Sequence, residues 1–326
     1  MTRKILVLAA IISLSIVPRS RTIVLEEGFL PPNNLKIAVG SLEAKGITQE
    51  QFNAVMDRAE EIYTPVIAAR GGKLVLRRLW DDPTVNASAQ RDGDDYVLNM
   101  YGGLARHESI TQDGMALVVC HELGHHIGGA PKYYGEDWAS NEGQADYFAN
   151  LKCLRLMFSA PGAEAFSGPE GDEAASNAAV AKAACAKSHA KPADKALCAR
   201  GAMAGMSVTT LFRVLRRETK LPRFDTPDPE VVTEMYDNHP GTQCRLDTYF
   251  SGSLCDRPVG EVVDEQNPAP GTCTTSSGHT VGLRPLCWYF PPADPTPQPP
   301  AAARAAAHKA PVLASSLQNP DLWKGL

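Results

Sequence analysis

One stretch constrains this chain more than any other: residues 114–129, an apolar segment of helical length that carries His121, Glu122, His125 and His126 from its middle onward. Imidazoles and a carboxylate on an otherwise apolar helix are costly to bury unless they are paired or bind a metal, so the fold must bring partners to that face. In a helix, His121 and His125 stand one turn apart and point the same way. Their ring nitrogens then converge on one point, at the roughly 2 Å from each ring that Zn²⁺ requires. Glu122 is turned by about 100° from His121 and points beside that place, where a carboxylate can serve as base toward a water activated by the metal.

A zinc site needs a third protein ligand and, if it is catalytic, an open fourth position. Two continuations compete. H-E-x-x-H-x-x-G-x-x-H matches at Gly128, but its last position holds Pro131, which cannot ligate. The other is Asn141-Glu142-Gly143-Gln144-Ala145-Asp146, opening a second helical stretch that ends near Leu156. Glu142 and Asp146 are again one turn apart. Glu142 can complete the metal triad while Asp146 accepts a hydrogen bond from the far ring nitrogen of His121 and fixes its tautomer. His126 points about 100° away from His125 and reads as structural. Tyr133, Tyr134 and Trp138 read as loop or core packing, with a tyrosine hydroxyl assisting the site as the alternative.

H-E-x-x-H followed by N-E-x-x-A-D resembles the gluzincin zinc metallopeptidases. The resemblance implies Zn²⁺ held by His121, His125 and Glu142, with Glu122 as catalytic base and Asp146 behind His121. It rests on the two metal-bearing segments and is loose elsewhere. Downstream, Asn238-His239-Pro240-Gly241-Thr242-Gln243-Cys244-Arg245-Leu246 is similar to the His-Pro helix start of CAAX-protease-like and HtpX-like peptidases. That likeness puts Pro240 at the first helical position and His239 at the helix mouth near the metal. There His239 donates to the transition-state oxyanion or ligates the resting ion. Those peptidases differ in having several membrane spans or other accessory modules, and a longer gap to the glutamate.

The expected fold class is α+β: a mainly helical, zincin-like domain with a small sheet over residues 22–250, then a disulfide-stapled, loop-rich C-terminal extension over 251–290. A Pro/Ala-rich tail follows at 291–326. Thr48 and Gln51 are spaced as a capping box for a helix that ends near Ala69, with Phe52, Val55, Met56, Ala59, Ile62 and Tyr63 at helical period. Strands are predicted at residues 73–80 and 95–101, joined by a polar connection, the second being either an ordinary strand or an edge for an extended peptide. Residues 22–45 read as an irregular or short-stranded opening that carries no chemistry. Between 160 and 206 the chain holds 17 alanines in 47 residues, which predicts helices broken at Pro192. A separate amphipathic helix is expected over residues 207–219. Asn86-Ala87-Ser88 matches a glycosylation sequon.

Thr2-Arg3-Lys4 followed by an apolar run from Ile5 to Val17 has the order of a secretory signal. The run is shorter than the about 20 residues of a membrane span. Residues 1–20 are therefore a signal peptide or an uncleaved N-terminal anchor, and only such an anchor would touch a membrane. Eight cysteines without C-x-x-C spacing fit disulfides in a secreted or periplasmic protein. Spacing favours Cys185 with Cys198, Cys244 with Cys255, Cys273 with Cys287, and Cys120 with Cys153. With 32 Lys and Arg against 37 Asp and Glu, no global positive field draws the chain to nucleic acid. The expected function is an exported zinc metalloendopeptidase acting on peptide or protein. The alternatives are a binding or chaperone-like protein with a structural zinc, and a zinc amidase with a non-peptide substrate.

Overall fold

The computed structural model describes residues 22–24, 28–134, 137–159 and 172–291, with 22–24, 172 and 173 described by backbone alone. The expected signal or anchor, and the tail beyond Pro291, lie outside the described residues. The fold is α+β, as expected. β1 (Thr22–Val24) precedes α1 (Gln49–Ala68), and β2 (Lys73–Leu79), β3 (Ala87–Asp92) and β4 (Asp95–Tyr101) follow. The helices continue as α2 (Gly102–Ala105), α3 (Gln112–Ile127), α4 (Glu142–Phe148), a π-helical segment (Ala149–Cys153), α5 (Leu154–Met157), α6 (Asp172–Ser188), α7 (Pro192–Leu215) and α8 (Thr242–Leu254).

The capping box of α1 forms as read: Thr48 Oγ1 accepts from the Gln51 amide, and Gln51 Oε1 accepts from the Thr48 amide. The predicted periodic residues face the core, joined by Ile67. The sheet runs β1-β3-β4-β2, with β2 parallel and β3 antiparallel to β4. One expectation is corrected here, and one pair of alternatives is decided. The polar connection contains β3, whose Ala87 and Ala89 are buried while Ser88 and Gln90 bond to Asn99 across the ladder. Its low β-propensity gives way to pairing with β4. β4 is consequently an interior strand and offers no edge to a peptide.

α3 is buried along its length from Asp113 onward, with Thr111 capping its start. It packs on α4, α7, α1 and the β3–β4 face of the sheet. Gly124 makes the α3–α4 crossing close: a Cβ there would stand 2.9 Å from Ala145 Cα. The expected break at Pro192 is present, with Pro192 in the first turn of α7, where its missing N–H costs nothing. No separate helix begins at Ser207, because α7 runs through it to Leu215. Ser207 is instead a buried tether, its hydroxyl accepting from the Thr111 amide and donating to Ser109 O.

All eight cysteines are paired. Cys120–Cys153 and Cys185–Cys198 are as expected, whereas Cys244 joins Cys287 and Cys255 joins Cys273. Helix geometry explains the correction. Cys244 lies in the first turn of α8 and Cys255 caps its end, about 16 Å apart at 1.5 Å per residue, while a disulfide needs Cα atoms within about 7 Å. The Cys244–Cys287 bridge pins the C-terminal region to α8, where Trp288 is fully buried with Tyr147, Leu151 and Tyr289. Four disulfides suggest an oxidising extracellular or periplasmic compartment. No helix of the described residues is long and apolar enough to cross a membrane.

The π-helical segment buries Lys152, whose ammonium donates to Pro258 O at 2.6 Å. Burial first, then the charges of Arg155 and Arg257, push its pKa down from 10.5 to about 7. Between those values the unfolded chain holds a proton that the folded chain has released, so stability gains roughly 1.4 kcal/mol per pH unit as pH rises through that window. Lys152→Met should remove this gain. Denaturant midpoints at pH 7 and pH 10 are expected to rise more for the wild type than for the variant, and parallel changes would refute the assignment.

Candidate metal centre

α3 presents His121 and His125 from adjacent turns, with their Nε2 atoms 3.0 Å apart. Their outward nitrogens are occupied: His121 Nδ1 donates to Asp146 Oδ1 at 2.7 Å, and His125 Nδ1 donates to Ser140 O at 2.8 Å. Both Nε2 atoms are thereby left as acceptors facing each other, which is unfavourable unless a proton or cation lies between them. Glu142 arrives at the first position of α4, whose start is capped by Asn141. Asp237 holds that start in place, its carbonyl accepting from the Glu142 amide and its carboxylate from Asn141 Nδ2. Glu142 Oε2 stands 3.3 Å from His121 Nε2, and Oε1 stands 3.5 Å from His125 Nε2.

This donor set fits a divalent cation. The ligand atoms of His121, His125 and Glu142 lie within 4.8 Å of one another, all buried, and Glu142 Oε2 has no hydrogen-bond partner. Among the described residues, two other groups are comparably close, Asp228-Cys244-Cys287 and Asp256-Cys273-His279. Their cysteines are consumed by disulfides.

The surrounding charges favour the same position. Burial, the largest influence on His121, lowers its pKa, but the carboxylates of Asp146 and Glu142 outweigh it and raise the value to about 9. His125 is pushed down to about 4, burial again being the largest cause. A metal ion would displace the proton that His121 otherwise retains. Glu142 is held well below the usual carboxylate range because His239, His121 and His125 overcome its burial. Glu122, one residue along α3, is 1% exposed with Oε1 unpartnered, and burial pushes its pKa up to about 8.

Asp146 takes the orienting position expected of it, and here the sequence reading missed the other half. Arg245 of α8 grips Asp146 through Nε and Nη2, both at 2.7 Å, and Tyr249 Oη donates to Asp146 Oδ1 at 2.7 Å. Arg245 is fully buried, with its guanidinium 4.1 Å from the Phe212 ring centroid. The one available signal was an arginine with Tyr249 a turn later, just after His239-Pro240. The chain matches no protein-family model, no curated protein and no solved structure. The three-residue group is nevertheless compatible with a zincin motif.

His239 reaches the cluster, 3.4 Å from Glu142 Oε2, but not from a helix mouth. α8 starts at Thr242 with Gly241 as its cap, so His239 and Pro240 belong to the preceding loop. Its Nε2 donates to Gly28 O at 2.8 Å and therefore carries a proton. His126 is structural, as expected: Nδ1 accepts from Arg91 Nε, Nε2 donates to Val97 O, and Trp138 packs on the ring. Tyr133 follows the alternative reading over loop packing, since its hydroxyl donates to Glu142 Oε1 at 2.8 Å.

The opening segment also does more than expected. The Phe29 ring meets the edge of His121 at 4.9 Å, and Phe29 O accepts from Arg245 Nη1. Backbone pairing with Ala87 and two hydrogen bonds between Leu30 and Asn86 hold the segment there. Gly28 and Phe29 thus cover one side of the cluster and Tyr133 another.

Proposed function

We propose that the protein is a zinc-dependent metalloendopeptidase acting outside the cytosol, of gluzincin type and possessing an HtpX-like His-Pro segment at residues 239 and 240. The observation that carries the reading is the convergence of His121, His125 and Glu142, with both histidines pinned through Nδ1 and Glu122 Oε1 unpartnered alongside. Bound at this place, Zn²⁺ would polarise a scissile carbonyl and bring the pKa of a water near neutrality. Glu122 takes the proton of the attacking water and returns it to the leaving amine. His239, already a donor through Nε2, gives its hydrogen bond to the carbonyl oxygen as charge develops there. Asp146, locked by Arg245 and Tyr249, keeps His121 in its ligating tautomer.

The closure of the cluster, with His121 and Glu142 at 0% exposure, favours a second reading in which the zinc is structural. Against it, a purely structural site has no use for Glu122 next to a ligand. Under the peptidase reading, Gly28 and Phe29 or Tyr133 must move aside for substrate. Metal analysis of the purified protein followed by peptide-library digestion, with and without chelator, tests the proposal. One zinc per chain and chelator-sensitive cleavage are expected. A metal-replete protein that cleaves nothing would favour the structural zinc, and a protein that takes up no metal would defeat both readings.

A further inference from the structure

Resting on that metal reading, we infer that Tyr133 is a positioning residue that assigns the two oxygens of Glu142, holding Oε1 for the protein and leaving Oε2 for the ion. The two oxygens have different surroundings. Oε1 accepts the Tyr133 hydroxyl at 2.8 Å. Oε2 is buried without a hydrogen bond and stands before the His121 and His239 Nε2 atoms at 3.3 and 3.4 Å, with Arg245 Nη2 farther off at 3.7 Å, while Oε1 lies 3.5 Å from His125 Nε2. A carboxylate oxygen engaged by a hydroxyl is a poorer metal donor than its free twin, and ligating carboxylates are ordinarily steered by such outer contacts. The consequence concerns coordination number. A glutamate that gives both oxygens uses two positions on the ion, whereas one that gives a single oxygen preserves the open position that hydrolytic zinc requires.

The loop that delivers Tyr133 is built to hold this contact. Lys132 pairs with Ser140 in an antiparallel bridge, the Tyr133 amide donates to Ala139 O, and the Asn141 amide donates to Pro131 O. Asp237 Oδ2 accepts from the Tyr134 amide while Oδ1 accepts from Asn141 Nδ2. The hydroxyl donor and the carboxylate it steers are therefore referenced to one residue. The Tyr133 ring lies 25° from parallel to His125, centroids 6.2 Å apart.

The test is Tyr133→Phe in the full chain loaded with Co²⁺, whose visible absorption is more intense when four-coordinate than when five-coordinate. The wild type should give the intense spectrum. The variant should lose intensity as Oε1 joins the ion, and its zinc form should lose about 10- to 100-fold in kcat with KM unchanged. Superimposable cobalt spectra would overturn the inference while leaving the metal reading intact. A wild type that takes up no cobalt would overturn both. Infrared difference spectra of the wild type on zinc loading give a check independent of the variant. A wide separation of the Glu142 carboxylate stretches is expected for one ligating oxygen, and a narrow one would refute the inference.

Discussion

Glu122→Gln is expected to keep its metal and lose about 10²- to 10⁴-fold in kcat, the usual worth of a positioned general base. The side chain is 1% exposed and one position along α3 from a ligand. It contributes to neither the donor set at 121, 125 and 142 nor the hydrogen bonds that orient it. An amide of the same shape therefore leaves the ion's surroundings intact and removes only the capacity to take a proton. Stability should not fall, because the wild-type carboxyl already resists ionisation in its buried setting, with a pKa near 8. A bound cation would pull that value down again, readying the group as a base at neutral pH. The measurement pairs metal content with kcat/KM for a cleaved peptide. Unimpaired turnover in a zinc-replete Gln variant would remove Glu122 from the mechanism.

Arg245→Met is expected to produce the largest stability loss, about 3–5 kcal/mol, the cost of breaking a buried ion pair from one side. Arg245 is the cation gripping Asp146 and stands 3.7 Å from Glu142 Oε2, with all three side chains fully buried. Burial, the largest influence on Asp146, raises its pKa, yet Arg245 and His121 hold it below 3.8. That contribution to stability is present above the unfolded value and lost as pH falls through the folded one. The gap between wild type and variant in urea unfolding should therefore be widest near neutral pH and narrow in acid. A loss under about 1 kcal/mol at pH 7 would show that Tyr249 and His121 suffice for Asp146, contrary to the buried-pair argument.

Local spacing carried a large part of this molecule. Side chains three or four residues apart share a helix face whatever surrounds the helix. That is why His121 with His125, Glu142 with Asp146, and the buried face of α1 were legible from residue order alone. The capping box at Thr48 and the break at Pro192 are equally local. Failures began where an element owed its form to a distant neighbour. β3 has little strand propensity of its own and exists through its pairing with β4. Ser207 reads as a helix start yet sits inside α7, tethered to Thr111.

At the metal centre the division is sharper. Ligand types and their pairing by helical turn belong to the chain's local order, whereas the groups that make them usable come from far away. Arg245 meets Asp146 across 99 residues, and His239 meets Gly28 across 211. Tyr133 is near Glu142 in sequence, but its hydroxyl is aimed by Asp237 and by the Lys132–Ser140 bridge. The bridge from Cys244 to Cys287 likewise depends on where the C-terminal region lies on α8. The physical reason is common to all of these. Helical periodicity fixes direction within one element, while charge compensation, hydrogen-bond partners and disulfide reach depend on distances between elements, which exist only once α3, α4 and α8 have packed.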